Sequence, residues 1–228
     1  KFFQNHGLFK LKNRPQWFTV KNRSKTYVNK ILEKVSGEYY KNYNINKVER
    51  KTNSVRLFYG DDSEFFDYDK VVFATHADQT ISILKNPSDE EKNILSKFNY
   101  KKNMAVIHTD EKVMPSNKKA WSSWNSSINT DNLSECSITY WLNKLQNLKI
   151  DKNIFLTLNP YFEIDNDMIL KKVEFTHPYY NQEALNSQKN LSTIQNKKNI
   201  LFCGSYFGYG FHEDGIKSSI DMLKFLDD

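Results

Sequence analysis

Glycine is scarce in this chain, with seven in 228 residues, where roughly 7% is usual for globular proteins. Cysteine is scarcer: Cys136 and Cys203 stand far apart, follow no metal-ligand spacing and suit a reducing cytoplasm, the expected location. No Cys/His cluster, paired-carboxylate signature or nucleophile elbow is present, so no metal site is expected. No stretch of eighteen apolar residues exists, which excludes a membrane-spanning helix. Arginine is nearly absent too, with four against 29 lysines. Bidentate recognition of phosphates and bases leans on arginine, so the formal charge of +6 reads as a solvated, Lys- and Asn-rich surface and no nucleic-acid partner is expected. The opening KFFQNHGLFKLKN lacks the apolar core and cleavage site of a signal peptide, and also an initiator Met. A piece of a longer chain is the expectation.

What is present reads as an α/β chain able to bury a substantial core. SKTYVNKILEKVS (24–36) predicts a helix with Ser24 as N-cap and Tyr27, Val28, Ile31, Leu32 and Val35 inward. Strands are predicted at 45–50 and 54–59, then across the turn GDDS into EFFDY, and at the buried run VVF (71–73). A helix is expected over 78–85. Ser88 and Glu91 form a capping box, which starts a further helix ending near Phe98. From 99 to about 176 the texture changes to MAVIHTD, AWSSWNSS, CSITYWL, IFLTLN and ILKKVEFTH, a run of strands that predicts a separate sheet. Residues 181–195 read as helical and polar. NILFCG is a short buried strand, and GIKSSIDMLKFL is a last helix expected to turn Ile216, Ile220, Leu223 and Leu226 inward.

Four of the seven glycines (Gly204, Gly208, Gly210, Gly215) fall in GSYFGYGFHEDG, between that buried strand and that last helix. A tight turn is the plain explanation. In open α/β sheets, however, ligands bind outside the carboxyl ends of strands, and a helix N-terminus offers unbonded N–H groups. The context favours a ligand loop.

Seven segments, taken in order, resemble the FAD-dependent flavin amine oxidase superfamily, in particular a bacterial branch described as NAD/FAD-binding oxidoreductases. They are RPQWFTV…SKTYV (14–28), VVFATHADQ (71–79), NMAVIHTD (103–110), AWSSWN (120–125), ITYWLNKLQ (138–146), TLNP (157–160) and FCGSYFGYGFHEDG (202–215). The resemblance implies part of an FAD/NAD(P)-binding three-layer domain interleaved with a mixed-sheet α+β substrate domain. On that division 1–20 is a helical part of the substrate domain, 21–86 an FAD-binding segment, 87–189 the substrate sheet and 190–228 the C-terminal FAD-binding segment. The family's G-x-G-x-x-G fingerprint is missing, so the resemblance implies that it lies upstream. FAD is then the cofactor of the intact protein, held weakly or not at all by this stretch alone. By position, Ile45 matches the adenine side, Ala74 and Thr75 the segment near the phosphates, and Gly204 and Ser205 the pyrophosphate turn. His212, Glu213, Asp214, Gly215 and Ile216 match the flavin end and the start of the last helix. Two positions depart from the family: Asn22-Arg23 replaces paired glycines, and Met104, beside Asn103, stands where amine-oxidising members carry a lysine.

The implied activity is removal of hydride from an organic small molecule, the flavin acting as electron sink. An apolar or lipid-like substrate, with peripheral lipid contact, is expected from the aromatic second sheet and the missing lysine. Trp121, Trp124, Tyr140 and Trp141 are either core filler or a substrate wall above the flavin. His212 is the candidate catalytic residue, shaping the pocket or carrying a proton; a purely structural role is the alternative. His76 reads as a helix cap, His108 as packed or surface, and His177 as a turn residue. A non-catalytic FAD- or lipid-binding relative remains the rival function, with a basic nucleic-acid binder behind it.

Overall fold

The computed structural model of the chain describes residues 10, 12, 13, 16, 18 and 20–226. The expected helical piece 1–20, His6 and part of RPQWFTV lie mostly outside these. The chain divides into two compact units, Lys1–Lys41 and Asn42–Asp228.

In the first unit, residues Ser24–Leu32 form a helix in which no residue is buried. The expected inward face is therefore corrected: Val28, Ile31 and Val35 are exposed, and Tyr27 and Leu32 are only half-buried. Ser24 is the first helical residue and Arg23 the cap position, with φ 69° and ψ −177°. Asn22 is also left-handed, at φ 61°. The two positions that depart from paired glycines thus keep a backbone that favours glycine, despite their side chains.

In the second unit, β1 (Ile45–Arg50), β2 (Val55–Tyr59) and β3 (Glu64–Tyr68) form an antiparallel meander. β4 (Val71–Phe73) pairs in parallel with β10 (Ile200–Phe202), the Phe73 and Phe202 rings stacking at 5.8 Å. β5 (Asn99–His108), β6 (Trp124–Ile128), β7 (Cys136–Trp141), β8 (Phe155–Leu158) and β9 (Ile169–Tyr179) make one antiparallel sheet in the order β6-β7-β8-β5-β9. The five strand-like segments after residue 98 therefore close into the separate sheet that their texture predicts. Helices Ala77–Ile83 and Asp89–Leu95 follow β4, and helix Gln182–Gln188 follows β9. The capping box is formed: the Glu91 N–H donates to Ser88 Oγ at 3.2 Å, and the Ser88 N–H to Glu91 Oε2 at 2.8 Å. The largest core joins these elements through residues such as Val48, Phe73, Leu95, Leu191, Phe202 and Tyr206.

The last helix, His212–Met222, is rotated from its expected setting. Ile216, Ile220 and Leu223 point outward, at 51%, 58% and 54% exposure, while Ser218 and Met222 are buried. The cause is a polar contact rather than hydrophobic patterning. Ser218 Oγ accepts from the Gly204 N–H at 2.9 Å and donates to Gly215 O at 2.7 Å, which fixes which face meets β10. Met222 then packs beside Leu201 and Cys203.

Candidate functional site

The parallel register runs Ile200↔Val71 through Phe202↔Phe73, and the Cys203 N–H continues it by donating to Phe73 O at 2.9 Å. Ala74-Thr75 and Gly204-Ser205 therefore leave the carboxyl ends of adjacent parallel strands, where an open α/β sheet places its ligands. Thr75 O lies 3.7 Å from where a Gly204 Cβ would sit. The helix His212–Met222 begins in the same loop system, its Gly215 set against the Ser205 N–H at 4.0 Å from an added Cβ. Ile45 is elsewhere: it opens β1 opposite Tyr59 and packs against the main core.

The glycines divide by cause. Gly204 has φ 149°, and a Cβ there would stand 2.8 Å from the Tyr206 ring. Gly208 is bare because Asp214 folds over it, leaving 2.2 Å between a Cβ and Asp214 Oδ1. Gly210 has φ 93° and Tyr180 Oη 3.1 Å from a Cβ position. These three answer to the chain's own packing. A Cβ on Gly215 has ordinary room, so among the four glycines of this loop it is the one that the chain's own packing does not require.

Asp214 organises the loop: its Oδ2 accepts the N–H groups of Tyr209 and Phe211, both at 2.9 Å. The Gly204 N–H is engaged by Ser218, while the Ser205 N–H, at the first position of its short helix, has no acceptor among the described residues. Ser205 O accepts from the N–H groups of Gly208 and Gly210. His212 and Glu213 are exposed in the first turn, as is Ile216 one turn on. Among the described residues no group of three or more His, Cys, Asp or Glu is arranged to hold a metal.

Residues that the sequence reading passed over hold this loop. Gln188 Nε2 donates to Tyr206 O at 2.9 Å and to Gly208 O at 2.6 Å, and the Tyr180 hydroxyl donates to Ser205 O at 3.4 Å. Tyr100 Oη accepts from the Ala77 N–H at 3.0 Å while its ring stacks on His76 at 4.3 Å. Burial pushes the Tyr100 hydroxyl up to about 12 and raises Tyr180 and Tyr206 as well. All three hydroxyls stay protonated across the working pH range: Tyr180 donates, Tyr100 accepts, and the buried Tyr206 hydroxyl has no partner among the described residues. A conspicuous tyrosine in FNYKK and in HPYYN was the available signal.

The four aromatics of the second sheet do not form one wall. Trp121 and Trp141 meet edge to face at 5.3 Å and pack with Met114 and Phe155 in a closed cluster. Trp124 and Tyr140, 5.7 Å apart across β6 and β7, sit on the opposite face. Strand parity and register put Ile138, Leu156, Leu158 and Ile107 on that same face. It is open, with Trp124 57% exposed. Met104 shares the other face with Val106 and lines a cavity of about 290 Å³ with Phe162 and Ile164. His108 is buried under β8, with Nδ1 accepting from the Asp110 N–H and Nε2 donating to Thr157 Oγ1 at 2.8 Å. Thr157 continues to Thr139 Oγ1 at 2.9 Å. Desolvation lowers the His108 pKa, against the pull of Asp110.

No family model and no curated protein matches the chain. Solved structures do match in fold. A fatty acid isomerase of P. acnes that produces CLA superposes with TM-score 0.61 at 12% identity, over 88% of this chain and 51% of its own. Putrescine oxidase bound to putrescine gives 0.59 at 8%, over 91% and 53%. Cyclohexylamine oxidase of Brevibacterium oxydans gives 0.51 at 10%, over 81% and 49%. The chain thus carries the fold of a part of these proteins and spans about half their length. The resemblance read from the sequence is met at the level of fold.

Proposed function

We propose that this chain is the flavin-facing and substrate-facing portion of an FAD-dependent oxidoreductase that takes hydride from an apolar organic molecule. The observation that carries this reading is the convergence of Ala74-Thr75, Gly204-Ser205 and the start of the 212–222 helix at the carboxyl ends of two parallel strands, joined to the fold match. On this reading 21–86 and 190–228 form the cofactor half, and 87–189 the substrate half.

The residues present fit such a group. The Ser205 N–H without an acceptor and the open side of Gly215 are what a ligand's anionic or flat part requires. FAD, when bound, supplies the electron sink. The chain supplies placement. Tyr180, Gln188 and Asp214 fix the loop, and the helix N-terminus at His212–Asp214 stabilises negative charge directed at it. His212, exposed at that terminus, is assigned the proton-carrying role. The open face bearing Trp124, Tyr140 and Ile138 is assigned to the substrate, with Trp121 and Trp141 structural behind it. No helix among the described residues is long and apolar enough to cross a membrane.

The test is anaerobic reduction of the natural full-length protein, followed by its visible spectrum. Bleaching by unsaturated fatty acids or other apolar donors supports the reading. Bleaching by primary amines alone overturns the substrate class, and no bleaching by any donor makes the protein a non-catalytic binder.

A further inference from the structure

A second candidate site lies at the opposite end of β10. Lys197 and Lys198 precede Ile200, whereas Gly204 follows Phe202, so the strand, at about 3.3 Å per residue, separates them. The cavity there has a volume of about 350 Å³. Arg50 and four lysines (Lys51, Lys85, Lys197 and Lys198) line it against two carboxylates, Glu49 and Glu91.

Both carboxylates are already matched. Glu91, 1% exposed, holds the Arg50 guanidinium and the Ser88 N–H. Glu49 takes Lys51 at 3.1 Å and Lys85 at 3.0 Å, and these two ammonium groups hold its carboxyl below the usual carboxylate range. Lys197 and Lys198 have no carboxylate partner among the described residues. The Arg50 side chain is only 14% exposed, and its Nε–H is buried with no acceptor. A buried guanidinium N–H without an acceptor is rare, and a bound ion or water is the usual reason. Five cationic side chains against two carboxylates leave the concave lining with an excess of positive charge, which concentrates counter-anions.

The geometry points to an anion site here, for a phosphate or pyrophosphate group. Volume agrees: at roughly 30 Å³ per water, the space suits a small multivalent anion. Arginine beside lysines matches phosphate oxygens in charge and hydrogen bonding. The site is independent of the flavin reading, since it shares no residue with the glycine loop.

The experiment is calorimetric titration of the full chain with sodium pyrophosphate at low ionic strength, with inorganic phosphate as second probe. The expected result is one saturable site, weakened at least tenfold by Lys197→Gln with Lys198→Gln. Lys102→Gln with Lys118→Gln, which removes equal charge from β5 and from the 118–120 turn, should change affinity less than twofold. Pyrophosphate should also raise the melting temperature of the wild type but not of the first variant. Co-sedimentation with phosphatidylcholine vesicles containing phosphatidic acid separates the two sources of such a group. Pelleting that depends on Lys197 and Lys198 assigns a lipid headgroup, and saturation by pyrophosphate without pelleting assigns a soluble anion. Absence of saturation, or equal weakening by both lysine pairs, overturns the site.

Discussion

β5 is held along both edges, by β8 over four residue pairs and by β9 over ten, whereas β10 has three pairs with β4 and no other strand partner among the described residues. The five-stranded sheet also closes one face with its own side chains: Phe155 at 0% exposure, the Trp121–Trp141 pair and the His108–Thr157–Thr139 chain. The parallel pair is buried at Leu201 and Phe202, yet the helix beside it turns Ile216, Ile220 and Leu223 to solvent. Parallel sheets are normally covered on both faces and built from several strands. The contrast is between a five-stranded sheet complete in itself on one face and a two-stranded parallel sheet whose following loop is ordered by hydrogen bonds.

The largest effect should come from breaking the closed face. Phe155→Ala is expected to cost about 3–5 kcal/mol, read by urea unfolding, because the ring touches both Trp121 and His108. In the glycine loop the decisive groups are polar. Gly208→Ala forces the Asp214 carboxylate off the N–H groups of Tyr209 and Phe211, at a cost of about 1–3 kcal/mol. Asp214→Ala should cost a similar amount, and the double variant little more, since both remove one latch. Additive losses in that cycle would mean the two residues act separately.

Acid separates the regions as well. His108 is neutral when buried, and its folded pKa lies below the unfolded value, so the unfolded state binds more protons in the window between them. Its contribution is fully present above about pH 6.5 and is lost as pH falls through the folded pKa. Denaturation at pH 7.5 and 5 should show this loss in the wild type and a flatter profile in His108→Gln. Smaller again, Arg23→Gly should add about 1 kcal/mol by relieving a left-handed residue that carries a Cβ. Ile220→Ala should stay within about 0.5 kcal/mol in this chain. In the natural full-length protein the same change should cost about 2 kcal/mol or more if that face is covered.

Much of the fold was legible in local pattern. β1 falls at Ile45–Arg50 as read, and the Ser88–Glu91 box starts its helix because both signals are carried by adjacent residues. The five alternating segments announced their sheet. What failed needed contacts between distant positions. The inward face of the last helix is chosen by Ser218 reaching Gly204, fourteen residues back, and no apolar periodicity encodes that. Tyr140 and Trp141 point to opposite faces by strand parity alone, but which face is closed depends on Phe155 and Met114. The glycine cluster was legible as a strand–loop–helix junction. That Tyr206, Asp214 and Tyr180 account for three of its glycines was not, because glycine records a close approach without naming what approaches.

Gly215 is therefore the sharpest probe of the central claim. The bound flavin-to-protein ratio of the natural full-length protein should be measured from its visible spectrum for the wild type and Gly215→Val, beside circular dichroism. Outside its own helix, a Cβ there comes no nearer than 4.0 Å to the rest of the chain, so the fold should be kept. The account predicts near-stoichiometric flavin in the wild type and at least a tenfold loss of affinity in the variant, with an unchanged dichroism spectrum. Full flavin retention in Gly215→Val, or a colourless wild type, would contradict it.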